Sequence, residues 1–170
     1  MKQELIDNFC VDIIEKIKNE FKTKESLEPA FYLGFEKNGN IEIEPTPPIE
    51  PFFINDNSKE ILSSLLKATI AAAEPDIVCM TTEVWFLEPL KIKENEKFPK
   101  PSESLDKIEG ILLAFETPDK ELLQIWKIIR EENKPVTLEK AYKELKWEVK
   151  ETSKKSRGGK FSNLYELNSK

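Results

Sequence analysis

The sequence predicts an α+β fold in which a mostly antiparallel sheet of about five to seven strands is covered by two helices. Two observations carry this prediction. Two stretches place apolar residues at the three-and-four spacing of a helix, and several others alternate apolar and polar residues as strands do. Neighbouring strand stretches are joined by short turns and not by repeated helices, which favours antiparallel pairing. The length of 170 residues fits one domain spanning 1–170.

The chain begins with a predicted amphipathic helix over residues 3–23, which has apolar residues along one face and charged residues on the other. A hairpin over 30–44 follows, because apolar and polar residues alternate on both sides of Asn38-Gly39. An Asn-Gly pair supplies the two positive φ angles of a tight hairpin turn. The first third of the chain is therefore a helix followed by a strand pair.

The proline-rich stretch 45–51 is typical of a stiff connector, since proline cannot donate to a sheet. A second helix is predicted to begin at Asn57, which forms a capping pair with Glu60. Ile61 and Leu65 belong to the apolar face that we expect to lie against the sheet.

Residues 76–88 are rich in strand-forming residues on both alternating faces, which predicts a central strand covered on each side. Residues 89–106 are rich in lysine and proline and indicate a long loop. A second hairpin is predicted over 108–130, with its turn at 117–120 where Pro118 suits the second turn position.

The last third carries weaker patterns. A short helix is predicted to begin at Thr137, whereas Trp147 and Val149 alternate like a strand. Residues 161–167 would return beside that strand and complete a third hairpin.

Composition narrows the classes of function. The net charge is −6, 34% of residues are charged, and no apolar run is long enough to span a membrane, so we expect a cytoplasmic protein without membrane contact. The chain has no histidine, which removes Ser-His and Cys-His nucleophile pairs and most zinc sites. No nucleotide or dinucleotide fingerprint is present, so no cofactor is expected, and the two cysteines are interpreted as small buried residues.

A first candidate site combines Glu83 and Trp85 at the end of the central strand, before the long loop. A carboxylate and an indole there are suited to line a pocket that the loop covers. Glu83, Glu116 and Asp119 are also the candidate carboxylates for a divalent metal or for acid–base chemistry. The alternative is that these acids are solvated strand ends and that Trp85 belongs to the core.

A second candidate site is the basic segment that contains Gly158-Gly159. Cations beside glycines allow side chains and backbone amides to approach a phosphate together, and Phe161 and Tyr165 would stack on bases. The spacing is not that of a P-loop. The alternative is an exposed, charged loop that keeps a hairpin soluble. The candidate phosphate-binding residues are Lys154, Lys155, Arg157 and Lys160.

The run Thr82-Glu83-Val84-Trp85-Phe86, Pro101-Ser102 and the stretch 106–119 resemble a family of small uncharacterised bacterial and phage proteins. In that family a strand ending in a Glu-Ala-Trp-Met-like sequence precedes a Pro-Ser loop and an acid-rich hairpin. The resemblance covers roughly residues 58–130. It supports the predicted architecture and implies no particular biochemical role.

These observations favour a non-enzymatic binding or accessory protein, in a phage or mobile-element setting, that contacts a protein partner through a sheet edge or through the basic segment. Three alternatives stay open. They are a nucleic-acid-binding module, a carboxylate-based hydrolase that depends on a divalent metal, and a homodimer formed by an exposed strand.

Overall fold

The computed structural model describes residues 1–87, 105–141, 148–149, 161 and 164–165. Two helices and seven strands lie in this part of the chain. In chain order they are α1 (Gln3–Lys24), β1 (Ala30–Lys37), β2 (Asn40–Pro45), α2 (Asp56–Ala73), β3 (Ile77–Phe86), β4 (Ile108–Glu116), β5 (Lys120–Ile129), β6 (Thr137–Lys140) and β7 (Glu148–Val149). A short 3-10 turn, Glu50–Phe53, precedes α2.

The strands form one antiparallel sheet in the order β2-β1-β3-β4-β5-β6, and the two-residue strand β7 pairs with β5 beyond the end of β6. The predicted fold class is confirmed. The predicted central strand is also confirmed, because β3 pairs with β1 on one side and with β4 on the other.

Helix α1 covers one face of the sheet. Its apolar side packs on alternate residues of the inner strands, and Phe9 meets Phe115 edge to face with ring centroids 6.3 Å apart. Gly34 permits this approach, since a Cβ atom there would lie 2.8 Å from the Phe9 ring and 2.6 Å from Ile77. The buried α1 residues are Leu5, Ile6, Phe9, Cys10, Ile13, Ile17 and Phe21.

Helix α2 covers the opposite face with Leu62, Leu66 and Ile70. The two cores separate along β3, where Cys79 belongs to the α1 side and Val78 to the α2 side. Successive side chains of a strand point to opposite faces, so a strand covered on both faces needs apolar residues at every position. The burial of β3 on both faces therefore explains its continuous apolar run.

The hairpin β1–β2 forms as predicted, and Asn38 and Gly39 have φ angles of 54° and 79°. The predicted cap of α2, Asn57, is wrong by two residues. Asn55 caps the helix, because its side-chain oxygen accepts a hydrogen bond from the Ser58 amide at 2.9 Å, and the helix begins at Asp56.

The predicted helix at Thr137 is wrong, since residues 137–140 form β6 against β5. Val136 and Leu138 pack on the α1 side of the core, and this long-range contact decides the local conformation. Val149 lies in a strand as predicted, but its partner is β5. Phe161 and Leu164-Tyr165 lie in turns. Trp147 and the other residues of the predicted third hairpin lie outside the described residues, as do residues 89–104 of the predicted loop.

Within the described residues, neither helix combines the length and the apolar character that crossing a membrane requires.

Candidate functional site

Trp85 lies near the end of β3, two residues beyond Glu83 and on the same face of the sheet. Its side chain is 45% exposed, and the Lys107 ammonium lies 4.6 Å from the centre of its ring. Directly across on β4 is Glu109, whose carboxylate accepts a hydrogen bond from Arg130 at 3.0 Å. Trp85 is therefore a partly exposed ring with a cation on it, and not a core residue.

Glu83 is engaged within the protein. Its Oε1 atom accepts a hydrogen bond from the backbone amide of Leu27 at 2.6 Å. Arg130 also contacts this connection between α1 and β1, because its guanidinium donates to the carbonyl of Glu25 at 3.1 Å. The two side chains hold the loop at the end of α1 onto the sheet.

Glu116 and Asp119 also stabilise the backbone. Glu116 is buried, and its Oε1 atom accepts a hydrogen bond from the Leu164 amide at 2.7 Å. Asp119 accepts a hydrogen bond from the Thr117 hydroxyl at 2.9 Å within the β4–β5 turn, whose Thr117 oxygen accepts from the Lys120 amide. These contacts fix the C-terminal segment and the turn.

The three carboxylates do not form one site. Glu83 lies opposite Ile111 in the sheet, whereas Glu116 lies opposite Val78. Five residues along a strand correspond to about 16 Å, and an odd separation places the two side chains on opposite faces. Among the described residues no group of three acidic, cysteine or histidine side chains is arranged to hold a metal ion. The structure therefore does not bring Glu83, Glu116 and Asp119 together as the sequence hypothesis of a joint metal site requires.

The candidate phosphate-binding residues Lys154, Lys155, Arg157 and Lys160 lie outside the described residues. The two aromatic residues expected to stack on bases, Phe161 and Tyr165, are partly buried against the core on the α2 side of the sheet.

Phe161 stacks on Phe53 at 5.5 Å and meets Phe31 edge to face at 5.8 Å. Tyr165 donates a hydrogen bond to the Pro75 carbonyl at 3.0 Å. Burial, together with the charges of Glu116 and Asp76, raises the pKa of Tyr165 well above its usual range.

A cleft of about 490 Å³ lies between the start of α1, the end of α2 and the β4–β5 turn. Asp76, Asp119 and Lys120 line it together with apolar groups such as Ile70. These polar groups already bind protein atoms. Asp76 accepts from the Glu36 amide at 2.8 Å, and Lys120 donates to the Gln3 side chain at 3.4 Å. The cleft has the volume of a ligand site, but its lining is engaged in the fold.

The outer face of α2 is the surface that sequence reasoning missed. Ile61 is 49% exposed and Leu65 is 52% exposed, although both were predicted to lie on the sheet. A helix that crosses a sheet buries one stripe, and here that stripe is Leu62, Leu66 and Ile70. Ile61 and Leu65 each precede a buried residue by one position, which places them about 100° away around the helix.

We define the outer face of α2 as the arc that runs from one flank of its buried stripe, at Thr69 and Ser58, round to Ser64 on the far side of the helix. No residue on this arc is charged. The four charged residues of the helix, Asp56, Lys59, Glu60 and Lys67, fall together on the remaining arc. The sequence carried a signal for this face, since α2 has apolar residues over a wider arc than one sheet contact can cover. The outer face consists of Asn57, Ser58, Ile61, Ser64, Leu65, Ala68, Thr69 and Ala72.

No protein-family model, curated protein or solved structure matches this chain. The resemblance to small bacterial and phage proteins stays a prediction, and the function has to be inferred from the surface of the molecule.

Proposed function

We propose that this chain is a non-enzymatic binding or accessory protein that engages another protein chain through the outer face of α2. The observation that carries the proposal is the uncharged outer face with two exposed branched aliphatic side chains, Ile61 and Leu65.

The charge of the whole chain makes this face unusual. Charged residues make up 34% of the sequence, yet this arc of α2 contains none, and Asp56, Lys59, Glu60 and Lys67 all lie on the other side of the helix. The centres of protein interfaces are depleted in charged residues, and contiguous apolar surface marks interaction sites. Burial of exposed aliphatic surface yields about 25 cal/mol for each Å² removed from water. A partner that covers Ile61 and Leu65 therefore gains free energy without desolvating a charge.

The carboxylates support the same proposal. Glu83, Glu116 and Asp119 each accept a hydrogen bond from the protein itself, and Glu83 and Glu116 lie on opposite faces of the sheet. Their arrangement favours a scaffold role over the shared carboxylate chemistry of the hydrolase hypothesis.

Photo-crosslinking in cells tests the proposal. A photoreactive amino acid at position 65 should give a covalent protein adduct, and the substitution Ile61→Lys on the same face should abolish it. Val11 on α1 is the matched control, because it is an exposed aliphatic residue with the same 52% exposure as Leu65. Equal adducts at positions 11 and 65, or no adduct at position 65, would contradict the proposal.

A cytoplasmic location and a phage or mobile-element setting are the finer parts of the proposal. Fractionation of cells that express the full chain tests the location, and recovery in the membrane or secreted fraction would contradict it.

A further inference from the structure

We propose that the groove beside α2 that holds Phe161, Leu164 and Tyr165 is a peptide-binding groove, in which a segment of a partner protein replaces these residues. The partner segment has an aromatic residue, a leucine three positions later, a tyrosine directly after it and then a basic residue. This segment groove shares no residue with the outer face of α2, so the inference goes beyond the function proposed above. We define the groove by the residues that contact the three occupants, which are Phe31, Phe53, Pro75 and Glu116.

The two aromatic residues of the segment are recognised at separate places. Phe161 stacks on Phe53 with ring centroids 5.5 Å apart and meets Phe31 edge to face at 5.8 Å. Tyr165 donates a hydrogen bond to the Pro75 carbonyl at 3.0 Å. Phe53 comes just before α2 in the chain and Pro75 just after it, so the segment runs beside this helix and in the same direction.

Between these two anchors the segment makes a backbone contact. Leu164 is 3% exposed and belongs to the core on the α2 side of the sheet. Its amide donates to Oε1 of Glu116 at 2.7 Å, and Glu116 itself is 1% exposed. A buried carboxylate is costly unless hydrogen bonds stabilise it. An empty groove therefore favours any segment that brings a backbone amide to this carboxylate.

The contacts of the segment are of the kind that open locally. Its described residues, Phe161, Leu164 and Tyr165, lie in turns and pair with none of the strands. The sheet order β2-β1-β3-β4-β5-β6 is complete without them. Segments outside the sheet ladder open at a lower free energy than central strands do. The segment is therefore able to leave while the sheet and both helices stay folded.

The cleft of about 490 Å³ described above lies next to Tyr165 and sets the charge of the partner. Burial, followed by the negative charges of Glu116 and Asp76, raises the pKa of Tyr165, so the surroundings of its hydroxyl are negatively charged. In this chain the residue after Tyr165 is Glu166, an acid. A segment with a basic residue at that position complements the cleft better than the chain's own segment does. The charged residues that line the cleft are Glu74, Asp76, Asp119, Lys120 and the amino-terminal Met1.

This difference favours a partner protein over a second copy of the chain. Exchange of identical segments between two copies replaces each contact by the same contact and still pays the entropy of association. A tethered segment competes at an effective concentration in the millimolar range, so an external segment needs an additional contact to displace it. A basic residue facing the cleft supplies that contact.

Fluorescence polarisation with the full-length chain tests the exchange. The probe is a labelled synthetic peptide of residues 158–168 of this chain. The double substitution Phe161→Ala and Leu164→Ala in the full chain weakens its own segment. This variant should bind the peptide at least about tenfold more tightly than the wild-type chain, in which the tethered segment competes. A peptide that carries the same two substitutions should bind neither protein.

Ile17→Ala in the full chain is the matched control, because Ile17 is buried in the core on the opposite face of the sheet. It destabilises the fold without touching the groove, so it should bind the peptide as the wild-type chain does. Equal gains in Ile17→Ala and in the double variant, or no gain in the double variant, would overturn the peptide-binding groove.

A second peptide tests the charge of the partner. With Glu166→Lys in the peptide, binding to the double variant should be at least about threefold tighter at low ionic strength. The difference should shrink at about 1 M salt, where the Debye length is about 3 Å. Equal affinities of the two peptides at low ionic strength would overturn the basic residue.

Hydrogen exchange of the wild-type chain is a measurement that needs no variant. The Leu164 amide should be at least about tenfold less protected than the Cys79 amide in β3, because it opens locally. Equal protection would show that the segment leaves only on global unfolding and would overturn the exchange. Sedimentation equilibrium distinguishes the donors, since a wild-type dimer that the double variant lacks would identify a second copy and overturn the assignment to a partner protein.

Discussion

At the scale of single residues, carboxylates in this protein hold backbone segments that are distant along the chain. Glu83 binds the amide of Leu27 in the loop after α1, and Glu116 binds the amide of Leu164 near the C-terminus. A hydrogen bond to a charged acceptor contributes about 1.5 to 3 kcal/mol, more than a bond between neutral groups. Sequence reasoning singled out both acids, either as candidates for metal or acid–base chemistry or as solvated strand ends, and a role as backbone acceptors was not among these readings.

Replacement of Glu83 tests whether its carboxylate stabilises the fold as an acceptor for the Leu27 amide. Glu83→Ala removes the acceptor for the Leu27 amide and should lower the free energy of unfolding by about 2 kcal/mol. Glu83→Gln keeps an oxygen acceptor and should recover more than half of that loss. Urea denaturation of the three proteins measures the difference, and equal destabilisation by alanine and glutamine would contradict the proposed contact.

Thr81 is a residue whose hydroxyl costs stability. It is fully buried in β3, and its Oγ1 atom has no hydrogen-bond partner among the described residues. Thr81→Val has nearly the same shape without the buried hydroxyl, and it should raise the free energy of unfolding by about 1 kcal/mol. Thr82→Val is the control, because the Thr82 hydroxyl donates to the Glu83 carbonyl at 3.2 Å. Thermal denaturation that shows no gain for Thr81→Val would contradict this interpretation.

At the scale of elements, two faces of α2 have different roles. Its inner stripe closes the core, and its outer face carries the proposed interaction. The helix begins at a defined place because Asn55 accepts hydrogen bonds from the amide and the hydroxyl of Ser58, at 2.9 and 3.1 Å. An anchored N-terminus keeps Ile61 in a fixed position on the outer face.

Substitution of the two asparagines compares the observed cap with the one that the sequence predicted. Asn55→Ala should lower the free energy of unfolding by about 1 kcal/mol, since an unsatisfied amide appears at the start of the helix. Asn57→Ala lies within the first turn and should change it by less than half as much. Chemical denaturation measures both, and a larger loss for Asn57→Ala would reverse the assignment.

At the scale of the whole molecule, two cores enclose the sheet and bury both thiols. Burial, with a smaller effect from Asp7, raises the pKa of Cys10 from 9.0 to about 12. Burial also raises the pKa of Tyr32 from 10.0 to about 12. Both groups favour the neutral form in the folded state. Their contribution to stability is therefore fully present below pH 9 and is lost as the pH rises towards 12.

We expect the free energy of unfolding to fall between pH 9 and pH 12. Cys10→Ala removes one of the ionisable groups, so its stability should fall less steeply over the same range. Urea denaturation at a series of pH values measures the slope, and an unchanged slope in Cys10→Ala would contradict the burial of this thiol. In the folded protein at pH 8, a thiol reagent should label neither cysteine.

Local chemistry determined the parts of the structure that the sequence predicted well. The periodicity of α1, the Asn38-Gly39 turn, the turn around Pro118 and the apolar run of β3 depend on residues that are neighbours in the chain. Each is specified by a short-range preference or by the regular spacing of apolar residues. The fold class followed from these elements and from the short connections between them.

Tertiary structure decided what depends on distant contacts. Residues 137–140 become a strand because β5 offers a partner, and Glu83 becomes a backbone acceptor because the loop after α1 returns beside it. The exposed face of α2 was equally hidden, since only packing shows that the sheet takes the stripe of Leu62 and leaves that of Ile61 outside. The sequence by itself determined the two helices, the two hairpins and the central strand, and it showed that α2 is apolar over a wide arc. The fold selected which part of that arc meets water, because a flat sheet covers only one side of a helix.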